Sequence, residues 1–310
     1  MLMSRIARCA ALALTATLAL SACGSSKSSN PLQPAPAPAS GTAKEVVVGG
    51  SNFYESKLVG EIYAQALEAK GIKVTRKFDI GAREVYYGQV QSGAITVMPE
   101  YNGALLATSV DKTSTAITTD EVDAALKAKL PATLDILDPS PAQDKDSVTV
   151  TKETAAKYNL KTIADLAPVA KTLVIGGPPE FKTRQQGIVG LQTKYGLTFK
   201  SFQPLDEAGP ISIAGLKNGR VQAADIFSTD PSIAKNGFVS LTDPKSIFTA
   251  QNVLPLVYKS GVTPAITAAL NAVSAKLTQA DLLAMDSKIV NDKADQSTVA
   301  KAWLTQAGLA

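Results

Sequence analysis

The 310-residue chain contains no histidine, only two cysteines and few aromatic residues, which make up 5% of the sequence. Without histidine there is no serine–histidine or cysteine–histidine nucleophile pair, no imidazole general base and no histidine metal ligand. Basic and acidic residues nearly balance, at 31 and 27, and no run of basic residues forms a patch suited to nucleic acid. We therefore expect no enzyme activity, no catalytic residue, no metal, no cofactor and no nucleic-acid partner.

The first residues have the pattern of a secretory signal. Two arginines precede an apolar stretch over residues 10–20, which is too short for a membrane span of about 20 residues. The stretch ends in Leu-Ser-Ala-Cys-Gly, similar to the bacterial lipobox, whose cysteine is lipidated and becomes the first mature residue. We expect a signal peptide over residues 1–22 and lipidation of Cys23. The alternative is an ordinary secreted protein with an unmodified cysteine.

The segment 23–43 has the composition of a flexible tether. Five serines and four prolines fall between Gly24 and Ala43, with a single large apolar residue. Such a segment cannot bury enough surface to offset the entropy of ordering, and its alternating Pro-Ala run favours an extended chain. We therefore expect a folded body held by its N-terminal lipid on the extracytoplasmic face of the cell membrane.

The remaining chain alternates between strand-like and helix-like patterns. A short apolar run at residues 46–48 is followed by apolar residues at i, i+3, i+4, i+7 and i+8 from Val59, which is typical of an amphipathic helix. The alternation continues to about residue 130 and restarts after the Pro-Ser-Pro sequence that begins at Pro139. This pattern predicts an α/β protein of two lobes with parallel strands.

Two segments follow predicted strands at a position where ligands can bind. Tyr101 lies in a Pro-Glu-Tyr-Asn-Gly sequence directly after the strand at 95–98, and open α/β sheets bind ligands at the carboxyl ends of strands. The tyrosine can offer a ring face or a hydroxyl group to a solute, or it can be a structural loop residue. The Gly-Gly-Ser-Asn turn at 49–52 lacks the spacing of nucleotide-binding loops. It is either an anion-facing turn or a plain connection.

Several short motifs together resemble one known family. In the first half they are Asn52–Ser56, Ile80–Arg83, Gly93–Thr96 and Pro99–Gly103, and in the second half they are Lys157–Leu166, Glu180–Gly196, Leu216–Gly219 and Phe227–Asp230. These segments are similar, in the same order, to the substrate-binding proteins of osmoprotectant ABC importers, those for glycine betaine, choline and carnitine. The resemblance covers nearly all of residues 45–305.

The resemblance implies a two-lobe, type II periplasmic-binding fold with parallel-rich sheets and two hinge crossovers. Lobe 1 would comprise residues 44–142 plus 249–310, and lobe 2 would comprise 143–248. A small-molecule solute would bind between the lobes and close them by a hinge motion. The loaded monomer would then deliver its solute to the permease subunits of an ABC importer in the same membrane.

The family pattern also implies a set of solute-binding positions, of which several depart from the usual residues. Asp146 and Ile213 stand where the family commonly has tyrosines, and Phe227 keeps a ring without a hydroxyl group. Since aromatic faces hold quaternary ammonium groups, these departures weaken the expected cage. The expected ligand-binding residues are Asn52, Phe53, Tyr101, Asn102, Asp144, Asp146, Arg184, Ile213 and Phe227.

Two interpretations of the departures remain open. Either the solute differs from a small betaine, as a larger polar or aromatic compound would, or other aromatic residues supply the cage, namely Tyr54, Tyr86, Tyr87 or Phe181. Asp146 predicts that choline, which has no carboxylate, binds better than glycine betaine. Arg184 is either a clamp for a solute carboxylate or one half of an ion pair. A lipoprotein enzyme or a sensor remains the alternative to a transport receptor.

Overall fold

Two five-stranded sheets form the framework of the protein, in a computed structural model that describes residues 45–310. The first sheet contains β1 (Val46–Gly49), β2 (Val74–Lys77), β3 (Val97–Tyr101), β4 (Leu134–Ile136) and β10 (Val253–Tyr258). The second contains β5 (Asp146–Val150), β6 (Val174–Gly177), β7 (Ser201–Pro204), β8 (Ala223–Phe227) and β9 (Val239–Ser240). Their strand orders are β2-β1-β3-β10-β4 and β7-β6-β8-β5-β9.

The chain crosses between the sheets twice, through residues 137–145 and 241–252. The strands that follow the crossings, β5 and β10, run antiparallel to their neighbours, whereas β1 and β6 pair in parallel on both sides. The sheets are therefore mixed, and the predicted α/β fold with two crossovers is confirmed. The predicted lobe boundaries fall within the two crossing segments and remain a prediction.

The two crossing segments lie side by side. The backbone N–H of Asp144 donates to the carbonyl of Gln251 at 3.1 Å, and the N–H of Val253 donates to the carbonyl of Ala142 at 3.0 Å. Gly103 makes a close approach possible here, because a Cβ atom at that position would lie 2.1 Å from the carbonyl oxygen of Ala250. The end of β3 is thereby held against the second crossing.

Eleven α-helices cover the sheets in the described part of the chain. In chain order they are α1 (Tyr54–Glu68), α2 (Arg83–Gln91), α3 (Asn102–Leu105), α4 (Thr119–Lys129), α5 (Lys152–Tyr158), α6 (Ile188–Tyr195), α7 (Pro210–Lys217), α8 (Ser232–Asn236), α9 (Pro264–Lys276), α10 (Gln279–Asp292) and α11 (Gln296–Ala307). None of the helices within residues 45–310 has the length and apolar character needed to cross a bilayer.

The C-terminal helices pack back against the first sheet. Helix α1 places Val59 and Ile62 in a core that also contains Leu270 of α9 and Trp303 of α11. Burying a side chain of this size contributes roughly 1.5–3 kcal/mol. This packing fixes α1, and the N-terminal end of α1 lies at the crossings, beside the carboxyl ends of β3 and β8.

The starts of several helices follow local sequence rules. The predicted capping box at α4 is confirmed: Thr118 accepts from the N–H of Glu121, and the Glu121 side chain accepts from the N–H of Thr118. In the 49–52 turn, the N–H of Ser51 donates to the Ser56 hydroxyl at 2.9 Å. That turn leads into Phe53 and the start of α1, and a role in binding an anion stays a prediction.

Candidate functional site

A small cavity of about 40 Å³ lies between the two sheets, at the crossings. Six of the nine residues expected to bind a ligand line it, and they come from separate parts of the chain: Phe53, Tyr101, Asp144, Asp146, Arg184 and Phe227. Tyr101 ends β3, Asp146 begins β5 and Phe227 ends β8. The fold thus brings these six side chains to one place, and their part in binding solute stays a prediction.

The other three expected residues lie outside the small cavity. Asn102 is fully buried. Its side-chain amide oxygen accepts hydrogen bonds from the backbone N–H groups of Gly103 and Asn252, both at 2.8 Å. Asn52 and Ile213 line a second, larger space described below. Helix α7 carries Ile213 to that larger space, and Ile213 does not line the small cavity.

Three aromatic rings form one wall of the small cavity, and we call Phe53, Tyr101 and Phe227 the cage. The centroid of the Phe53 ring lies 6.0 Å from that of Tyr101 and 5.1 Å from that of Phe227, with the second pair edge to face. Both distances fall in the range at which aromatic pairs attract. The rings therefore support one another and present a continuous aromatic surface.

None of the four alternative aromatic residues lines the small cavity. The side chain of Phe181 is buried in the core of the second sheet, and Tyr86 is buried beneath α2, where its hydroxyl donates to Glu100 at 2.8 Å. Tyr54 lines the larger space, and Tyr87 packs against the core beneath α2. The aromatic lining of the small cavity is thus limited to the cage within the described residues.

The Tyr101 hydroxyl is already engaged within the protein. It donates to Oε1 of Glu55 at 2.5 Å, and the other oxygen of Glu55 accepts from the Thr229 hydroxyl at 2.7 Å. Glu55 is buried in the first turn of α1, whereas Thr229 follows β8, so this carboxyl group joins the two halves of the protein. Tyr101 therefore offers its ring face to the cavity.

Both arginines that line the small cavity are neutralised by bidentate ion pairs. Arg83 binds the buried carboxylate of Glu100, with Nε–Oε1 and Nη2–Oε2 distances of 2.9 Å. Arg184 binds Glu84 of α2, with distances of 3.0 and 2.8 Å. The ion-pair interpretation of Arg184 therefore describes its state in this structure, and the pair bridges the cleft. Neither arginine leaves a net positive charge in the cavity.

Within residues 45–310, the carboxyl groups of the cavity form no such ion pairs. Asp144, Asp146 and Glu207 line it, and Asp225 pairs in the sheet beside Asp146. Both oxygens of Asp225 and one oxygen of Glu207 are buried and lack a hydrogen-bond donor among residues 45–310. Burial and the charge of Glu55 raise the pKa of Asp144 well above its usual range, and burial and Asp146 do the same to Asp225. The cavity is therefore lined by carboxyl groups whose ionised forms a bound cation would stabilise.

Glu207 is one of several cavity residues that sequence reasoning missed. Burial and the negative charge of Glu180 raise its pKa to about 7. Gln251, in the second crossing, donates to Asp146 at 3.1 Å and to Gln186 at 3.2 Å. Gln186 and Arg83 lie inside motifs that carry the family resemblance, but Glu207 and Gln251 lie outside them and had no local signal.

A larger space of about 830 Å³, which we call the groove, adjoins the small cavity. Phe53 and Glu207 line both spaces. The residues that form the groove come from the segments 52–57, 178–180, 205–217, 230–236 and 289–293, together with Ala82. The groove thus runs between the two halves of the protein, with the cage at one end.

Comparison with known proteins identifies the family. Residues 44–306 match the family described as "Substrate binding domain of ABC-type glycine betaine transport system". The chain is 27% identical over 279 residues to the glycine betaine-binding protein YehZ of Escherichia coli (strain K12), covering 86% of this chain and 92% of that protein.

Two solved structures show a similar fold. A glycine betaine/carnitine/choline ABC transporter structure has a TM-score of 0.66 at 21% identity, covering 85% of this chain and 99% of the other. An ABC-transporter choline-binding protein in complex with choline has a TM-score of 0.65 at 15% identity, covering 86% of this chain and 89% of the other. The match over residues 44–306 shows that this chain belongs to the family of substrate-binding domains of ABC-type glycine betaine transport systems.

Proposed function

We propose that this protein is the solute receptor of an ABC importer and that it prefers a quaternary ammonium cation without a carboxylate, such as choline, over glycine betaine. The observation that carries the proposal is an aromatic cage beside carboxyl groups that form no salt bridge within residues 45–310, in one cavity. The receptor role follows from the family, and the preference for a cation follows from the charges.

The cage suits a cation that cannot donate hydrogen bonds. A quaternary ammonium group has no N–H, so a protein holds it by surrounding it with aromatic faces, each worth roughly 0.5–2 kcal/mol. Phe53, Tyr101 and Phe227 supply three adjoining faces. Several such contacts together reach the range needed for micromolar binding, about 8 kcal/mol, once the carboxyl groups add their attraction.

The charges of the small cavity disfavour a carboxylate on the solute. Arg83 and Arg184 are held by Glu100 and Glu84, so neither supplies an uncompensated positive charge to a betaine. A bound cation would stabilise the ionised forms of Asp144 and Asp146, and these ionised forms would repel a carboxylate on the same solute. Choline carries the positive charge of the quaternary ammonium group and has no carboxylate.

The direct test is calorimetric titration of the mature protein with choline and with glycine betaine at moderate salt. We expect choline to bind at least about tenfold more tightly, a difference of about 1.4 kcal/mol. Tighter binding of glycine betaine than of choline would overturn the proposed preference, and binding of neither compound would overturn the quaternary-amine assignment.

The affinity for choline should depend on pH in a defined direction. The pKa of Glu207 is raised to about 7, and only its ionised form attracts a cation. Below this pKa the group is protonated, so the attraction is lost as pH falls. For one such group, choline affinity should drop roughly tenfold between about pH 8 and pH 6.

Titration calorimetry at both pH values measures this change, and Glu207→Gln is the control. The glutamine keeps the shape of the side chain but cannot ionise, so its choline affinity should be weaker at high pH and should vary less between the two conditions. A wild-type affinity that rises as pH falls would contradict the role of Glu207.

We further propose that the protein is a monomer anchored by Cys23, closes on its solute by a hinge motion at the two crossings, and has no catalytic role. The signal peptide over 1–22, Cys23 and the tether over 23–43 lie outside the described residues, and the proposal for them rests on the lipobox-like sequence. The closed, loaded form would deliver solute to the permease subunits of its importer.

Replacing Cys23 with alanine tests the anchor. We expect the wild type in the membrane fraction and labelled by a radioactive fatty acid, and Cys23→Ala unlabelled and released from that fraction. The fold of residues 45–310 should be unaffected, since Cys23 precedes it. Absence of fatty-acid label on the wild type would refute lipidation.

A further inference from the structure

The groove beside the cage is larger than choline requires. We propose that it is a subsite for the tail of the solute, so that the transported compound is a quaternary ammonium cation with an extended, largely apolar tail. The head would lie in the cage, and the tail would pass Phe53 and Glu207 into the groove. This inference rests on the proposed function, because it takes the cage as the site of the cationic head.

The volumes of the two spaces differ about twentyfold. The small cavity measures about 40 Å³, whereas the groove measures about 830 Å³. Pockets for small organic ligands commonly measure roughly 300–1,000 Å³. The small cavity therefore falls below the range for a whole organic ligand, whereas the groove falls within it.

The two spaces adjoin at residues that could contact both parts of one solute. Phe53 and Glu207 line both, with Phe53 belonging to the cage. The buried oxygen Oε2 of Glu207 has no hydrogen-bond donor among the described residues. A donor group on the solute between its head and its tail would satisfy that oxygen at the junction.

The groove persists although the two halves of the protein are already in contact around it. Lys235 and Asn291 both line the groove, and the ammonium group of Lys235 donates to the Asn291 side chain across it at 2.9 Å. Arg184 and Glu84 bridge the cleft beside the small cavity. The groove is therefore a feature of the contacting lobes rather than a gap that remains because they are apart.

Apolar side chains form about half of the groove wall, and the rest is polar or charged, including Lys57, Lys217, Lys235 and Lys293. Pro178 and Pro179 follow β6, Leu205 follows β7, and Ile213 projects from α7. On the opposite side, Ile289 lies near the end of α10. Two of the acids in the groove are already used at helix starts, because Asp206 accepts from backbone N–H groups of α7 and Asp230 from one of α8. The apolar part of the wall, on both sides of the groove, favours an apolar or aromatic tail.

A pair of compounds with the same head tests the tail subsite. Choline and hexanoylcholine share the trimethylammonium group and differ in a six-carbon ester tail. We define the tail gain as the dissociation constant of choline divided by that of hexanoylcholine, both measured by calorimetric titration of the mature protein. In the wild type we expect hexanoylcholine to bind at least about tenfold more tightly, because burial of apolar surface in the groove stabilises the complex.

Substitutions in α7 locate the effect. Ile213 and its exposed neighbour Ala214 both line the groove. The variants Ile213→Trp and Ala214→Trp should each reduce the tail gain to about one, since the indole fills the space. Ile211→Trp is the matched control, because Ile211 lies on the same helix, is 55% exposed and lines neither space. It should keep the wild-type tail gain.

The outcomes separate this inference from the proposed function. Choline binding with a wild-type tail gain near one would overturn the tail subsite and leave the receptor assignment standing. A tail gain that survives in both Ile213→Trp and Ala214→Trp would also overturn it, because the tail would then lie elsewhere. If the wild type binds neither compound, the proposed cage fails and the tail subsite fails with it.

Discussion

Replacing Arg83 with methionine is expected to lower the free energy of unfolding by about 3–5 kcal/mol, because it leaves a buried carboxylate without its counter-charge. The Glu100 side chain is fully buried and that of Arg83 is 8% exposed, so water cannot screen the remaining charge. Tyr86 and the N–H of Tyr101 also donate to Glu100, at 2.8 and 3.1 Å, but they carry no net charge. Chemical denaturation of the empty protein measures the loss.

A surface arginine with similar contacts provides the control. Arg76 pairs with Glu61 and Glu68, but its side chain is 31% exposed, and Arg76→Met should therefore cost only about 0–1 kcal/mol. The double variant Arg83→Met with Glu100→Gln removes both charges and should recover part of the stability lost in Arg83→Met. Equal losses for Arg83→Met and Arg76→Met would show that burial does not set the strength of the Arg83 pair.

Replacing Phe53 with alanine is expected to weaken choline binding by roughly 10- to 30-fold, since one cation–π contact in a site shielded from water is worth about 1.4–2 kcal/mol. The ring of Phe53 is the central member of the cage, because it contacts both Tyr101 and Phe227. Phe53 is a better position for this test than Tyr101. The tyrosine is only 6% exposed and holds Glu55, so its removal would also weaken the fold.

Calorimetric titration of Phe53→Ala with choline measures this effect, with Phe202→Ala as the matched control. Phe202 is also partly buried, but it lies on β7 against the core of the second sheet and lines neither space. Both variants lose a phenyl ring from a partly buried position, yet only Phe53→Ala should lose choline affinity. If Phe202→Ala weakens binding as much, the loss in Phe53→Ala reflects the fold and the cage assignment fails.

The sequence predicted well the features that depend on neighbouring residues. The strand at 223–227 and the helix face around Val59 follow from apolar spacing over a few positions, and the structure contains both. The position of Tyr101 at the carboxyl end of β3 is of the same kind. Such features are local, because the spacing of apolar side chains over a few residues sets which face of a helix or strand is buried.

Local sequence patterns predicted only some of the residues of the candidate site. Phe53 and Phe227 are separated by more than 170 positions, and no local pattern states that their rings lie 5.1 Å apart. Glu207 lies outside the motifs, and its raised pKa comes from burial together with Glu180, a residue distant in sequence. The state of Arg184 also depends on a distant residue. Because Arg184 forms an ion pair with Glu84, 100 positions away, it is not a free clamp for a solute carboxylate in this structure.

The amino-acid sequence by itself determined the family, the order of strands and helices, and the absence of histidine chemistry, because these depend on residue type and local spacing. Only the tertiary structure decided which charges are cancelled, which aromatic residues form the cage, and that Ile213 faces the groove rather than the small cavity. Those properties arise where the two crossing segments bring distant residues together. The interaction of buried charges depends on distance and solvent exclusion, and both are set by packing rather than by position in the chain.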